Sequence, residues 1–230
     1  MARENCRCMS LTEENDVRGT VLVCGRPGES PQVPEGVAVH ALPARPGRSD
    51  IDSLLTDALV VVGSDADLAA VALRLLRRER LDATTVGYVP VDRDSAVARL
   101  WGLPANPRDA LALALSGEAR PVPLVRDDAG GVLVGHGVIR QPRGVAYCDD
   151  TLALRGEAAS ITVRPGPAGL VATITRGRLL RRRTVFEGRA FQLGTAPVRP
   201  VSDGVPYPRP LERWTWYRHT HDLRLVLPAR

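Results

Sequence analysis

Two short loops and one turn hold the residues most able to do chemistry. Gly63-Ser64-Asp65-Ala66-Asp67 follows the apolar run 58–62. Pro90-Val91-Asp92-Arg93-Asp94-Ser95 closes the β-branched run 84–91. Both lie where strands of an open α/β sheet end, which is where such sheets bind ligands. Two readings fit the first loop. Ser-x-x-Asp ahead of an apolar helix face is a capping arrangement, with Ser64 accepting early amide protons and Asp67 complementing the helix dipole. Asp92 and Asp94 can likewise serve as turn and cap residues before a helix at Ser95. Alternatively, Asp65, Asp67, Asp92 and Asp94 could converge and offer hard oxygen ligands to Mg²⁺ or Ca²⁺. The turn, Asp203-Gly204, is either a catalytic carboxylate or a simple Asp-Gly β-turn between strands.

The elements that must position these residues divide the chain. Residues 1–16 read as a flexible tail. Residues 17–118 alternate apolar runs with helical spacing: Thr20–Cys24, Val37–Leu42 and Ala58–Val62 as strands, then Leu68, Val71, Ala72, Leu75 and Leu76 on one helix face. A further helix is predicted from about Ser95 to Leu100. Another starts at Asn106-Pro107, with Asn as cap and Pro at the first position, and stops at Gly117. This half is expected to form an α/β layer with a mostly parallel sheet. Residues 119–230 hold short β-type runs between Gly, Pro and Asp, among them 131–134, 160–163, 170–175, 190–193 and 223–227. They are expected to form an all-β sandwich. In the last run Leu223, Leu225 and Leu227 alternate with Arg224 and Val226, the pattern of a half-buried strand.

Composition narrows the chemistry. All 31 basic residues among the 230 are arginine, so no lysine can serve a P-loop, a Schiff base or a general base. No apolar run approaches the roughly 18 residues that a membrane-spanning helix needs, and the reading is of a cytoplasmic protein, peripheral at a membrane at most. Four cysteines (Cys6, Cys8, Cys24, Cys148) do not make a disulfide framework. The net charge of +5 is uneven. Residues 1–116 hold 13 Arg against 16 acids, and residues 117–230 hold 18 Arg against 10 acids. The basic half therefore looks toward an anionic partner.

The order and spacing of these motifs resemble the diacylglycerol kinase and sphingosine kinase catalytic family, whose fold is shared with NAD kinases. That family carries Gly-Gly-Asp-Gly-Thr where this chain has Gly63-Ser64-Asp65-Ala66-Asp67. It carries Pro-Leu-Gly-Thr-Gly-Asn-Asp-Phe-Ala-Arg where this chain has Pro90 to Arg99, with Pro90, Ala98 and Arg99 matching. Its Asp-Gly-Glu turn, source of a catalytic carboxylate in many members, stands here as Asp203-Gly204-Val205. The resemblance spans most of residues 18–228. It implies a lipid or small-molecule substrate, ATP and Mg²⁺ as cofactors if active, Asp65 and Asp203 as catalytic candidates, and Gly63, Ser64, Asp65, Ala66, Asp67, Pro90, Asp92, Arg93, Asp94 and Ser95 around the nucleotide. The departures matter: four loop glycines have become Ser64, Ala66, Asp92 and Asp94, and Asp67 replaces Thr. A carboxylate about 4 Å from a phosphate charge costs roughly 1 kcal/mol in water-like surroundings and about 4 kcal/mol near a protein surface. Phosphotransfer is therefore expected to be lost or impaired, with binding of a lipid, nucleotide or partner retained in the interdomain cleft. The competing expectations are an active lipid kinase and a regulatory protein that uses its basic second domain.

Arg178, Arg181, Arg182 and Arg183, with Arg176, form the densest basic stretch. They read either as an anionic-surface site or as the solvated side of a strand. Nucleic acid is not expected, since no aromatic stacking set accompanies them. Trp214 and Trp216 alternate away from Tyr217, His219 and His221, and two histidines alone do not make a metal site.

Overall fold

Continuous apolar runs in the first half become strands because both faces of their sheet are covered. The computed structural model describes residues 19–25, 32–177 and 181–229. The expected tail, residues 1–16, and Arg178 lie outside the described residues. In chain order the first half forms β1 (Thr20–Cys24), β2 (Ala38–Leu42), α1 (Arg48–Ile51), β3 (Ala58–Gly63), α2 (Asp65–Arg77), β4 (Thr85–Pro90), α3 (Ala96–Trp101), α4 (Pro107–Ser116) and β5 (Glu118–Val122). Leu22, Cys24, Leu59, Val61 and Tyr88 pack with Leu68, Val71 and Leu75 of α2 on one side of the sheet. Val21, Val23, Val60 and Val89 pack with Ala110, Leu111 and Ala114 of α4 on the other. The helix starts match the sequence: Ser64, Ser95 and Asn106 cap α2, α3 and α4 through their side-chain oxygens.

The second half runs through β6 (Val125–Asp127), β7 (Val132–Leu133), β8 (Gly137–Arg140), β9 (Arg143–Cys148), β10 (Thr151–Glu157), β11 (Ser160–Gly166), β12 (Gly169–Arg176), β13 (Arg182–Gly188), β14 (Ala190–Val198), β15 (Val201–Ser202), β16 (Val205–Pro206), β17 (Leu211–Arg218) and β18 (Leu223–Leu227). Two antiparallel sheets, ordered β10-β9-β14-β17-β6-β7 and β13-β12-β11-β8-β15-β16, form the expected sandwich. Its core is aliphatic around a few aromatic rings, with Phe191, Trp214 and Trp216 buried among Leu133, Ile139, Leu154 and Ile161.

Strand β18 does not belong to this sandwich. The first sheet is ordered β2-β1-β3-β4-β18-β5. β18 lies parallel to β4 and antiparallel to β5. The first sheet thus draws β5 and β18 from beyond residue 118, where composition changes. The alternation of Leu223, Leu225 and Leu227 with Arg224 reads as half-buried, yet Val226 is only 2% exposed, and Leu225 1%. Pairing between strands more than a hundred residues apart leaves no local trace in the sequence, so the run was legible as a strand and its neighbours were not.

The packing of α4 depends on one missing side chain. A Cβ on Gly87, in the middle of β4, would fall 2.5 Å from the Ala114 carbonyl oxygen and 2.9 Å from its Cα. The backbone of α4 has no slack there, since Ala110 and Ala114 are buried against the sheet. Overpacking of this kind typically costs about 1–3 kcal/mol. Gly87→Val is expected to cost at least that in urea unfolding of the whole chain. An unchanged midpoint would mean that α4 does not sit directly on β4.

Candidate functional site

Three of the five carboxylates singled out by the sequence, Asp65, Asp67 and Asp203, end in a cluster of hydrogen-bond donors, most of them backbone amides. Asp67 closes the α2 capping box. Its Oδ2 accepts from the Ser64 amide (2.8 Å) and the Ser64 hydroxyl (2.7 Å), while the Asp67 amide donates to Ser64 Oγ (3.3 Å). Its Oδ1 accepts from the Arg45 amide at 2.6 Å, which holds Arg45 in a left-handed conformation (φ 51°). Asp67 is buried. The local capping reading of Ser64 and Asp67 therefore describes them, and Asp67 places no free charge in a ligand cleft.

Asp65 reaches across to α3. Oδ1 accepts from the Tyr88 hydroxyl (2.9 Å) and the Ser95 hydroxyl (2.6 Å). Oδ2 accepts from the amides of Ala96 (2.7 Å) and Val97 (3.4 Å). Ser95 itself accepts from the Ala98 amide at 3.0 Å. The amides at the start of α3 point at anions by nature, and here the protein's own carboxylate takes them. Burial, reinforced by the charge of Asp65, pushes the Tyr88 phenol far above its ordinary pKa.

Asp203 fills a third set of amides. It sits in the β15–β16 turn at φ 47°, and its carboxylate turns inward. Oδ2 accepts from the Val134 amide (2.9 Å), and Oδ1 from the amides of Gly135 (2.8 Å) and His136 (2.9 Å). The reply is the Asp203 amide donating to the His136 carbonyl at 3.0 Å. Burial raises the Asp203 carboxyl to about 7; the charge of Asp65 pushes the same way, and the three amides oppose both. The link to Asp65 is Gly135. A Cβ at that position would lie 2.9 Å from Asp203 Oδ1, 3.1 Å from the Ala96 side chain and 3.2 Å from Asp65 Oδ2. Only a residue without a side chain lets the 134–136 segment pass between the two carboxylates, and this is the seam between the two halves of the molecule.

The four aspartates considered as metal ligands do not converge. Asp65 and Asp67 are spent on different partners, and Asp92, Arg93 and Asp94 are exposed in the loop before α3. Among the described residues no group of three or more His, Cys, Asp or Glu side chains is arranged to hold an ion. The electrostatic barrier expected from Asp67, Asp92 and Asp94 inside a phosphate site is thus not built that way. Gly63, Ala66 and Pro90 remain at the strand ends where the sequence puts them: Gly63 and Pro90 pair across β3 and β4, and Ala66 opens toward a neighbouring cavity.

That cavity, about 350 Å³, runs along α2 between the two halves. Ala66, Ala69, Ala70 and Leu73 give it a smooth apolar wall, and Val205, Tyr207 and Trp214 of the sandwich face them. Small side chains on the helix make the groove. The Trp214 indole N–H is buried without a hydrogen-bond partner, and its ring meets Tyr207 edge-on at 5.2 Å. Asp127 also lines the cavity, with Oδ1 accepting from the Ala129 (3.0 Å) and Gly131 (2.8 Å) amides, and burial pushes its carboxyl above the usual range. Arg45 and Arg77 stand exposed at its rim. Sequence reasoning did not single out Asp127, Tyr207, Arg45 or Arg77. The one available signal was the Asp127-Asp128-Ala129-Gly130-Gly131 turn, whose first carboxylate folds back on its own backbone.

No protein-family profile matches the chain, and no curated protein sequence matches it. Solved structures do. A diacylglycerol kinase from Bacillus anthracis str. Sterne superposes over 91% of this chain and 97% of its own, with a TM-score of 0.65 at 13% identity. An NAD kinase from Archaeoglobus fulgidus, solved in complex with ATP, covers 91% of this chain and 93% of its own, with a TM-score of 0.60 at 13% identity. The fold is therefore the two-domain fold of diacylglycerol kinases and NAD kinases.

Two outcomes follow from the seam. Charge-assisted hydrogen bonds to backbone amides typically contribute about 1.5–3 kcal/mol each. Asp65→Ala leaves the α3 amides uncapped and is expected to lower stability by about 2 kcal/mol or more in denaturant titrations. Asp203 gives a pH signature. Its folded pKa of about 7 lies above the roughly 4 of an unfolded aspartate. Its protonation stabilises the fold most below about pH 4, and that contribution is lost as pH rises through about 7. Unfolding free energy is expected to fall between about pH 4 and 7, and Asp203→Asn is expected to flatten that slope.

Proposed function

We propose that this chain is a diacylglycerol-kinase-like protein in which ATP-dependent phosphotransfer is lost or impaired and the interdomain cleft serves to bind an apolar or lipid ligand. The observation that carries this reading is Asp65. Its two oxygens already receive the α3 amides together with the Tyr88 and Ser95 hydroxyls. A polyphosphate at that strand end would have to displace a carboxylate from its own donors. Val205 supports the same reading, since it replaces the glutamate of the family's Asp-Gly-Glu turn and lines the cavity opposite the apolar wall of α2. Asp67, committed to its helix cap, offers no free carboxylate to Mg²⁺ there. The cleft itself suits a ligand with an apolar body.

The competing reading, an active lipid kinase using Asp65 and Asp203 with Mg²⁺, draws on the exposure of Asp92 and Asp94, which leaves the second loop without inward charge. One pair of measurements separates the two. Calorimetry with millimolar ATP·Mg²⁺ is expected to show no saturable heat, and labelled phosphate is expected not to reach diacylglycerol in mixed micelles. Transfer above background would overturn the first reading in favour of the second. Quenching of tryptophan fluorescence by a diacylglycerol analogue reads the cleft directly. Ala70→Leu, which fills the groove, is expected to weaken that binding by about tenfold or more. Equal affinity in both proteins would place the ligand elsewhere.

A further inference from the structure

The outer face of one sandwich sheet carries a pattern that no single stretch of sequence displays. Ile161, Val163, Ala172 and Ile174 point into the core. Their neighbours therefore point outward, and the register sets them in rows. Arg183 pairs with Thr175, Thr175 with Ser160, and Ser160 with Arg140. One step along, Val185 pairs with Thr173, Thr173 with Thr162, and Thr162 with Val138. The next row holds Glu187, Val171 and Arg164. A stripe of valine and threonine thus runs across four strands between flanking arginines. Arg140, Arg164 and Arg183 are exposed, as are Arg181 and Arg182 at the head of edge strand β13. None of the five enters a salt bridge among the described residues. Val185 is 57% exposed beside them, the most exposed of the large apolar side chains among the described residues.

We infer that this face docks on an anionic lipid bilayer. The chemistry asks for a partner that is broad, negative and able to accept an apolar tip. A bilayer rich in acidic headgroups supplies all three, with guanidinium groups meeting phosphates and Val185 entering the interface. A second copy of the chain is disfavoured by charge, because a face-to-face pair would bring Arg140, Arg164 and Arg183 against their equivalents with only Glu187 to offset them. A nucleic acid is disfavoured by shape and composition: among the described residues the face has no aromatic ring to stack on a base, and an exposed valine on its edge strand gains nothing from a phosphate backbone. Among the described residues, strand β13 lies at the sheet edge with no further strand beyond it, and no helix makes more than marginal contact with β11, β12 or β13. The inference concerns a surface separate from the interdomain cleft, and it stands whether or not the cleft binds a ligand.

The test is co-sedimentation of the full chain with vesicles of phosphatidylcholine alone and with one-third phosphatidylglycerol. Binding is expected to the acidic vesicles only, and to fall steeply with added salt as charges are screened. Each arginine at such a surface is worth roughly fivefold in partitioning, so the Arg140→Gln/Arg164→Gln/Arg183→Gln variant is expected to bind about a hundredfold more weakly. All three positions are exposed, so the variant's melting curve serves as the check that it is folded. Val185→Ser is expected to leave the salt dependence intact and weaken binding by about tenfold. Four results would overturn the inference: no binding to acidic vesicles, retained binding in the triple variant, loss of binding in Ala70→Leu (which would make the cleft the lipid site), or duplex DNA competing as strongly as acidic vesicles at the same salt.

Discussion

A carboxylate without a cation is expensive to bury, and this molecule buries or half-buries three around one seam. Asp65, Asp67 and Asp203 solve the problem in the same way, by accepting hydrogen bonds from backbone amides and nearby hydroxyls. An isolated ionised carboxylate in an apolar setting costs far more than a protein's net stability, so these donors are a requirement of the fold. The consequence is architectural. Asp65 ties the start of α2 to the start of α3, Asp67 ties α2 to the segment after β2, and Asp203 ties the β15–β16 turn to the segment before β8. Gly135 then lets Asp203 and Asp65 approach the same point from opposite halves of the molecule. The relative placement of the α/β layer and the sandwich rests on this arrangement, and the raised carboxyl of Asp203 is its cost.

The same arrangement governs what the cleft can hold. A fold of this type presents amides at strand ends and helix starts, where they suit an anion from outside. Here the anions come from inside. The loop carboxylates do not gather there: Asp67 serves as a helix cap, and Asp92 and Asp94 are exposed. The space that remains lies further along α2, and its wall of alanines and proline-flanked aromatic residues is apolar.

Much of this was legible in the sequence where the interaction is local. Ser64 and Asp67 are three residues apart, and the capping box between them follows from spacing alone. Asn106-Pro107 announced a helix start for the same reason. The switch from helical to strand patterning near residue 118 announced a second layer of different character. What could not be read were partnerships set by topology. Asp65 meets Ala96 across thirty-one positions and Asp203 meets Gly135 across sixty-eight, and nothing in either local motif names the other. The arginines split in the same manner. Residues 181–183 stand out as a run, whereas Arg140, Arg164 and Arg183 come to share one face only once the register of four strands is known. Trp214 and Trp216 were readable as one face of a strand, but the direction of that face is a property of the sheet it joined.

The return of β18 into the first sheet has a consequence for how the molecule is made. The strand between β4 and β5 is supplied by residues that follow the entire sandwich in the chain. During vectorial synthesis the α/β layer therefore emerges with a vacant slot: β4 is exposed along one edge, and β5 has no partner until residue 227 has left the ribosome. The sandwich is the only part that can close around a complete set of its own strands, so it is able to finish first even though it is made second. Until β18 is in place, β4 keeps an open parallel edge and β5 has no partner strand in that sheet.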